Sequence, residues 1–357
     1  MTAATPAIEP PTADEVLTDV HQGVGRILLN RPRALNALTT PMVAAIDEAL
    51  AAWESTPLTA VVLASTNPKA FCAGGDMRAI RANALAGDTE ASENFFATEY
   101  RLNARIAEHP VPIVSLIDGI CMGGGLGLSI HGDYRVVTEN TILAMPETAI
   151  GFFPDIGASH FLPRLPGAIG MYLGLTGHRL DAADALYTGL ATHFVPANRI
   201  DEVTEALADN AATPIDTILK DLEGREGREG REGREGREGL GGIPAPSVAG
   251  SKLAAVRADL DRAFGAPTLD GIRQELHALA TPWAARTLAT LDAHSPQSLE
   301  ITHALLTAGR TRTLRECLAA ELLLTRTTIR SPDFLEGVRA VLVDKDRTPA
   351  WQRADTQ

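Results

Sequence analysis

The sequence predicts an α/β fold that ends in a helical C-terminal region. Short, nearly all-apolar runs alternate with amphipathic segments between residues 23 and 196, and strongly periodic segments follow residue 251. Apolar runs bounded by turn residues are typical of buried strands, whereas apolar residues that recur every three or four positions are typical of helices. Because the two patterns alternate, we expect parallel strands that are connected through helices.

The first elements follow from these patterns in chain order. GVGRILLN (23–30) predicts a strand, which leads into the turn NRPRALNAL (30–38). Apolar side chains then recur at helical spacing over residues 42–53. The nearly all-apolar run LTAVVLAST (58–66) predicts a strand that is buried on both faces. A glycine pair at 74–75 precedes the next predicted helix.

The same order continues through the middle of the chain. A long helix is predicted over 90–108, where a His-Pro pair ends it. PIVSLIDG (112–119) predicts a second buried strand, which runs into the glycine-rich segment CMGGGLG (121–127). YRVVTENTILAM (134–145) predicts more strand, and the α/β pattern continues to about residue 196.

We expect four segments along the chain. Residues 1–14 are predicted to form a disordered tail, and residues 15–222 to form the α/β core. Residues 223–250 contain the triplet Glu-Gly-Arg written five times, followed by a linker. Triplets without an apolar side chain cannot bury a core, so they predict a solvated loop, with a frayed helix extension as the alternative. Residues 251–357 are predicted to be the helical C-terminal region.

The composition excludes several classes of function. The formal net charge of −13 argues against nucleic-acid binding, which needs a clustered basic surface. No apolar run reaches the roughly 18 residues of a membrane span, so no membrane insertion is expected. Three cysteines are too few for a disulfide framework, and the N-terminal residues resemble neither a signal peptide nor a transit peptide. We therefore expect a cytoplasmic protein.

Most motifs that carry chemistry are missing from this sequence. It contains no GxxxxGK(S/T) phosphate loop, no HExxH and no paired CxxC, and its histidines lack the spacing of metal ligands. No metal site is therefore predicted. GLSIHG (127–132) is close to a nucleophile elbow, but its second glycine falls one position late, which makes Ser129 a poor nucleophile.

Two glycine turns remain as candidates for a site. FCAGGD (71–76) and CMGGGLG (121–127) each follow a predicted buried strand and precede a predicted helix. Glycine allows close backbone approach, so such turns can aim backbone N–H groups at one oxygen and form an oxyanion hole. Tight packing explains either turn alone as well. Their occurrence together with the acidic stretch that follows favours a functional site.

The stretch MPETAIGFFPDIG (145–157) holds two acids in apolar surroundings. Glu147 and Asp155 have no Lys, Arg or His within the stretch to pair with. Removing a carboxylate from water costs several kcal/mol of free energy unless the carboxylate is paired. This pattern favours two functional acids in a pocket, with a helix cap or a surface-loop acid as the alternatives.

Four of these segments resemble the enoyl-CoA hydratase/isomerase (crotonase) superfamily: NRPRALNAL, AFCAGGDMRAI, DGICMGGGLGLSIHGDYRV and MPETAIGFFPDIGASHFLPRL. The C-terminal segments SPQSL and DFLEGVRAVLVDKDRTPAW are similar to the branch that hydrolyses 3-hydroxyisobutyryl-CoA. The resemblance covers residues 15–352, with the Glu-Gly-Arg insert as the main departure. It implies a crotonase-like spiral of repeated ββα units, with residues 15–222 as the acyl-CoA-binding core.

The resemblance also implies roles for individual residues. The N–H groups of Gly75 and Gly124 would form the oxyanion hole, and Glu147 matches one of the two catalytic glutamates of the hydratases. At the position of the other glutamate this chain has Gly127, so addition of water to a C=C bond is not expected. Asp155 matches the hydrolase pattern. We therefore expect Glu147 and Asp155 to be catalytic.

Further residues would bind the substrate. Glu99, in TEYRLN, matches a third acidic residue of the hydrolases, with a solvated helix charge as the alternative. It would contact the substrate together with Gly124, Glu147 and Asp155. Weak candidates for contacts with the CoA moiety are Arg33, Ala73, Asp76 and Lys345. For Arg33 and Lys345, an ordinary solvated charge is an equally good explanation.

We therefore expect hydrolysis of a short-chain 3-hydroxyacyl-CoA thioester, above all 3-hydroxyisobutyryl-CoA, in valine degradation. A small-molecule acyl-CoA is the implied partner, and no cofactor or metal is expected, because coenzyme A is part of the substrate. Alternatives are an enoyl-CoA hydratase or isomerase, a hydrolase of another short acyl-CoA, and a non-catalytic acyl-CoA- or RNA-binding scaffold. The C-terminal helices could join copies of the chain into a homo-oligomer, or this long tail could fold back onto its own chain.

Overall fold

The computed structural model describes residues 15–224 and 250–352. The tail predicted over 1–14 and most of the loop predicted over 223–250 lie outside the described residues. Within the described ranges, no helix combines the length and the apolar character that a membrane crossing requires.

The strands of the described residues form two sheets. In chain order they are β1 (Val16–His21), β2 (Val24–Leu29), β3 (Ala60–Ser65), β4 (Ala70–Cys72), β5 (Ile113–Ile117), β6 (Ile120–Met122), β7 (Tyr134–Val137), β8 (Ile142–Ala144) and β9 (His193–Phe194). The larger sheet has the order β1-β2-β3-β5-β7-β9, and the smaller has the order β4-β6-β8. β1 is antiparallel to β2, and the other pairs are parallel.

The helices fall into two groups on either side of the undescribed segment. Before it lie α1 (Thr40–Trp53), α2 (Met77–Ala86), α3 (Thr89–Glu108), α4 (Gly124–Ser129), α5 (Ala158–Phe161), α6 (Ile169–Thr176), α7 (Ala182–Thr188), α8 (Glu202–Asp209) and α9 (Ile215–Gly224). After it lie α10 (Lys252–Ala255), α11 (Arg257–Phe264), α12 (Leu269–Leu279), α13 (Pro282–Ala293), α14 (Pro296–Gly309), α15 (Leu314–Thr328) and α16 (Pro332–Val338).

One repeating unit builds both sheets. The pairs β3 and β4, β5 and β6, and β7 and β8 each give one strand to the larger sheet and the next strand to the smaller. Helical residues follow the second strand of each pair: α2 after β4, α4 after β6, and the 3₁₀ turn Glu147–Ile150 after β8. This arrangement confirms the expected spiral of ββα units.

The predicted helices are confirmed, and their ends have clear local causes. The helix expected over 90–108 is α3, where the Asp88 side chain accepts a hydrogen bond from the Ala91 N–H. In α14, Ser295 accepts a hydrogen bond from the Ser298 N–H, and Pro296 occupies the first turn, where its missing N–H costs nothing.

Two expectations differ from the structure. The sequence predicts no strand before residue 23, but β1 pairs with β2 along its whole length. β1 is an edge strand with four exposed central residues, so it lacks the apolar run that marks a buried strand. Residues 134–145 are not one continuous strand. A turn closed by the Thr141 N–H and the Thr138 carbonyl divides them between β7 in one sheet and β8 in the other.

The turn over residues 30–38 supports the first glycine turn. Asn36 is buried with φ of +55°. Its Nδ2 donates to Ser65 Oγ at 2.7 Å and to the Phe71 carbonyl at 2.9 Å, and its Oδ1 accepts from the Arg31 N–H at 2.8 Å. The Leu38 N–H donates to the Gly74 carbonyl at 2.8 Å. The N-terminal turn therefore fixes the segment that follows β4.

The C-terminal helices pack onto the same hydrophobic core as the α/β part. Leu260, Leu306 and Phe334 belong to one buried cluster with Ile27 and Phe71. α15 contacts both α3 and α5. The long C-terminal tail therefore folds back onto its own chain.

We predict that Asn36→Ala lowers the free energy of unfolding by about 2–4 kcal/mol, because three buried hydrogen bonds are lost and alanine tolerates a positive φ poorly. Urea denaturation followed by circular dichroism measures this change. Asn210→Ala, at an exposed position, is the control, with an expected loss below about 0.5 kcal/mol. Equal stability of the two variants would contradict the role of Asn36.

Candidate active site

The two glycine turns lie against each other. Gly74 has φ of +103°, and a Cβ placed on it would lie 3.0 Å from the Met122 carbonyl oxygen. A Cβ placed on Gly124 would lie 3.3 Å from the Gly75 nitrogen. These distances are tighter than a side chain normally allows, so the approach of the two backbones depends on glycine.

The amides of Gly75 and Gly124 are close together and available. Gly124 is the first residue of α4, and the first amides of a helix have no partner within it. Among the hydrogen bonds of the described residues, neither amide donates to a protein group. The structure thus brings the two predicted donors together, while their action on a carbonyl oxygen stays a prediction.

Two predicted acids face these glycine turns. Glu99 lies on α3 and Glu147 begins the 3₁₀ turn after β8, and both are almost fully buried. A Cβ on Gly123 would lie 2.8 Å from Glu147 Oε1, and a Cβ on Gly124 would collide with Glu99 Oε1. Glu99 Oε1 and Glu147 Oε2 have no hydrogen-bond partner within the described part of the chain. Buried polar atoms without partners are rare in folded proteins, so these two oxygens indicate a place for a ligand or for water.

Asp155 is the third buried acid, and it has a partner that the sequence analysis misses. Its Oδ2 accepts a hydrogen bond from the Tyr100 hydroxyl at 2.7 Å. Tyr100 directly follows Glu99 on α3 and is buried. The helical pattern around TEYRLN indicates a buried tyrosine, but no local signal links it to an acid 55 residues away.

Burial raises the pKa of each acid. The pKa of Glu99 and that of Glu147 lie well above the usual range, first because of burial and second because of the charge on Asp155. Burial raises the pKa of Asp155 to about 7, and the hydrogen bond from Tyr100 opposes this rise. No Lys, Arg or His in residues 15–224 or 250–352 forms an ion pair with these acids. Burial without a neighbouring cation thus shifts the pKa of all three acids upward, as is common for groups that transfer protons.

Gly127 is closed off by packing. A Cβ at this position would lie 2.9 Å from Asn103 Nδ2 and 3.0 Å from Ile156 Cβ. Asn103 Nδ2 donates to the Gly127 carbonyl at 3.1 Å. Because Ile156 directly follows Asp155, a side chain that packs against Gly127 belongs to the same turn as the aspartate.

Apolar side chains line the glycine turns. A Cβ on Gly75 would lie 3.0 Å from the Phe95 ring and 3.1 Å from Met77 Cε. Leu38 Cδ1 would lie 3.2 Å from a Cβ on Gly124. The two amides therefore lie beside apolar side chains, where electrostatic interactions are stronger than in water.

The candidates for CoA contacts have different surroundings. Ala73 is half-buried in the first glycine turn, and Asp76 caps α2 and pairs with Arg31 at 3.1 Å. Arg33 and Lys345 are exposed, and neither side chain forms an ion pair within the described ranges. Their contact with CoA stays a prediction.

Known proteins that are similar to this chain point to one family. Residues 24–357 match the family model described as Enoyl-CoA hydratase/isomerase. The chain is 41% identical over 347 residues to the mitochondrial 3-hydroxyisobutyryl-CoA hydrolase of Gallus gallus, and the match covers 96% of this chain and 86% of the relative. It is 38% identical over 357 residues to 3-hydroxyisobutyryl-CoA hydrolase 1 of Arabidopsis thaliana, and the match covers 97% of this chain and 89% of the relative.

Solved structures share the fold. An enoyl-CoA hydratase from Rhodobacter sphaeroides 2.4.1 has a TM-score of 0.80 at 39% identity, with 96% of this chain and 93% of the other covered. A carnitinyl-CoA dehydratase from Mycobacterium thermoresistibile has a TM-score of 0.82 at 37% identity, with 95% of this chain and 91% of the other covered. With its ββα spiral and its paired glycine turns, the chain belongs to the enoyl-CoA hydratase/isomerase family.

Proposed function

We propose that this protein is an acyl-CoA thioester hydrolase that acts on a short 3-hydroxyacyl-CoA, above all 3-hydroxyisobutyryl-CoA. Relatives that match almost the whole chain at about 40% identity are named 3-hydroxyisobutyryl-CoA hydrolases. The structural observation that carries the proposal is the pair of amides at Gly75 and Gly124 beside the unpartnered carboxyl oxygens of Glu99 and Glu147. The expected products are 3-hydroxyisobutyrate, an intermediate of valine degradation, and free coenzyme A.

Hydration is the second candidate, because two similar solved structures are titled a hydratase and a dehydratase. Gly127 argues against it. Addition of water across a C=C bond in this family uses two acids that hold the water and move its protons. A side chain at 127 would press against Asn103 Nδ2 and Ile156, and no carboxyl group stands at the position of the second of those acids.

A thiol-release assay across short 3-hydroxyacyl-CoA and unsubstituted acyl-CoA esters tests the proposal. We expect the highest kcat/KM for 3-hydroxyisobutyryl-CoA, because Glu99 can bond the acyl hydroxyl and the apolar side chains near Gly75 suit a short chain. Crotonyl-CoA in the same assay series should keep its enoyl absorbance. Rapid loss of that absorbance without thiol release would favour the hydratase.

The proposed reaction begins at the two amides. The thioester carbonyl oxygen accepts hydrogen bonds from the N–H groups of Gly75 and Gly124. As the carbon becomes tetrahedral, negative charge builds up on this oxygen, and such donors typically contribute about 3–4 kcal/mol each to lowering the barrier. The apolar side chains exclude water from the donors and keep these interactions strong.

Glu147 delivers the attack by one of two routes. As a base, its carboxylate takes a proton from the attacking water, and collapse of the tetrahedral adduct breaks the C–S bond and releases CoA, which takes up a proton. As a nucleophile, it displaces CoA and forms an anhydride that water then splits. Borohydride present during turnover would reduce the anhydride and convert Glu147 to an alcohol, which peptide mass spectrometry detects. An unmodified Glu147 would favour the base route.

The other acids complete the site. Asp155 orients the attacking water or the acyl hydroxyl, and Glu99 accepts a hydrogen bond from that hydroxyl. CoA is bound as part of the substrate, so the proposed reaction calls for no cofactor. Arg33 and Lys345 are exposed cations that suit contacts with the CoA phosphates.

Compartment and assembly are part of the proposal. All three cysteines are buried and free, which supports a reducing compartment such as the cytoplasm. The Gallus gallus relative is named mitochondrial. Cell fractionation distinguishes these compartments, and analytical ultracentrifugation tests whether the chain forms a homo-oligomer.

We predict that Glu147→Gln lowers kcat by about 100- to 10,000-fold, because glutamine neither accepts the proton nor attacks the carbonyl. Thiol release measures the rate, and circular dichroism checks that the variant is folded. Glu300→Gln, at an exposed position of α14, serves as the control and should keep wild-type activity. Substantial turnover by Glu147→Gln would remove Glu147 from the reaction.

We predict that Asp155→Asn strongly lowers kcat and that its stability relative to the wild-type protein increases as the pH rises. The Asp155 carboxyl has an ordinary pKa near 3.8 when the chain is unfolded and a pKa of about 7 in the fold. Below both values it is protonated in both states and has no effect on stability. Between them the unfolded chain releases the proton more readily, so ionisation destabilises the fold as the pH rises, and the full effect is present above about pH 7.

Urea denaturation at pH 4 and pH 8 checks this prediction. The stability of Asp155→Asn relative to wild type should be greater at pH 8 by up to about 4 kcal/mol. Asp209→Asn, on the exposed end of α8, should show no such difference. A relative stability that is independent of pH would show that Asp155 is not held at a raised pKa.

A further inference from the structure

The turn that carries Asp155 has an unusual backbone. Ile156 has φ of +55° and Gly157 has φ of +84°, both in the left-handed region. The Ala158 N–H donates to the Asp155 carbonyl at 2.8 Å and closes the turn. A left-handed conformation is a genuine outlier for a β-branched residue such as isoleucine, and it persists only where the surroundings hold it.

Glu321 of α15 holds this turn from the C-terminal region. Its Oε2 accepts the Gly157 N–H at 2.7 Å, and its Oε1 accepts the Ser159 N–H at 2.9 Å and the Ser159 hydroxyl at 2.5 Å. The Glu321 side chain is fully buried. Its two oxygens therefore bind residues just after the left-handed Ile156, although more than 160 positions of sequence separate them from Glu321.

Two further contacts hold the turn from the α/β core. His131 Nε2 lies 2.7 Å from the Ile156 carbonyl oxygen. Burial lowers the pKa of His131 to about 4, so the ring is neutral and its Nε2–H is the donor. The Tyr100 hydroxyl donates to Asp155 itself. The turn that carries Asp155 is thus held between these contacts from the core and the three hydrogen bonds to Glu321 of the C-terminal region.

A purely structural role does not account for the choice of an acid at position 321. Burying a carboxylate without a cation is unfavourable, and a well-packed apolar residue commonly joins two elements with a smaller penalty. A carboxylate can instead accept several hydrogen bonds at a fixed spacing, and the main-chain amides of Gly157 and Ser159 both point at it.

We propose that Glu321 is a positioning residue that holds the turn over 155–159 so that the Asp155 carboxylate stays against Tyr100 and beside the other two acids. The catalytic consequence rests on the hydrolase function proposed above. The sequence alone does not indicate Glu321 as a functional residue. The one sequence feature that could have indicated it is its position in α15 four residues after Cys317, on the buried face of the helix.

Glu321→Gln tests this role. Glutamine keeps the size of the side chain but replaces one acceptor oxygen with an NH₂ group, which would face the N–H of Gly157 or of Ser159. We expect kcat to fall by about 10- to 100-fold, because a small displacement of a reacting group has effects of this size. KM should change by less than about threefold, since no CoA contact is altered.

A double-mutant cycle separates positioning from general destabilisation. If Glu321 acts through Asp155, Glu321→Gln should have no further effect on kcat in the Asp155→Asn background. An additive loss in the double variant would overturn the proposal. A kcat of the folded Glu321→Gln variant within about threefold of wild type would also overturn it.

Two more variants calibrate the result. Ser159→Ala removes the hydroxyl bond and keeps both amide bonds, so it should give a smaller loss of kcat in the same direction. It also replaces Glu321→Gln in the cycle if that variant does not fold. Ile329→Val trims a buried residue at the end of α15 that makes no hydrogen bond to the turn, so it should lower Tm and leave kcat unchanged.

A crystal structure of Glu321→Gln decides the matter independently of activity. The Tyr100 hydroxyl and Asp155 Oδ2 should no longer lie within hydrogen-bond distance. An unchanged contact of 2.7 Å would overturn the positioning role. If the wild-type protein hydrolyses no thioester, the proposed function fails, and the crystal structure still decides whether Glu321 holds Asp155.

Discussion

The close approach of two glycine turns is the constraint on which the site depends. β4 and β6 are parallel neighbours in the smaller sheet, so both strands end at the same edge, where ligands bind in many α/β folds. The turns that leave these strands meet through backbone atoms, and side chains at Gly74 or Gly124 would force them apart. The amides of Gly75 and Gly124 therefore lie close together only because no side chain separates the two turns.

The acids around these turns make the site intrinsically unfavourable. Glu99, Glu147 and Asp155 are buried and form no ion pair with a cation in the described part of the chain, and the left-handed Ile156 adds backbone strain. Such features lower stability and are common where a protein keeps reactive groups in place. Hydrogen bonds from distant parts of the chain offset the strain, with Asn36 bracing the first glycine turn and Glu321 bracing the turn at Asp155.

The fold alone does not separate the reactions of this family, because structures titled a hydratase and a dehydratase share it with this chain. We propose that the difference lies in the acids that the spiral carries. At 127 this chain has a glycine packed against Asn103 and Ile156, and eight residues after Glu147 it carries Asp155 on a turn that Glu321 holds. The C-terminal helices take part in this selection, since α15 supplies the brace.

The sequence by itself indicated the long helices, the strands β2, β3 and β5 and the two glycine turns, because periodicity and turn chemistry are local properties. It also indicated Glu147 and Asp155 as acids in apolar surroundings. It did not indicate β1, whose exposed edge has no apolar run, nor the division of residues 134–145 between two sheets. Only the tertiary structure decided that Tyr100 and Glu321 reach the Asp155 turn, because hydrogen bonds between residues 55 and more than 160 positions apart depend on how the spiral and the C-terminal helices pack.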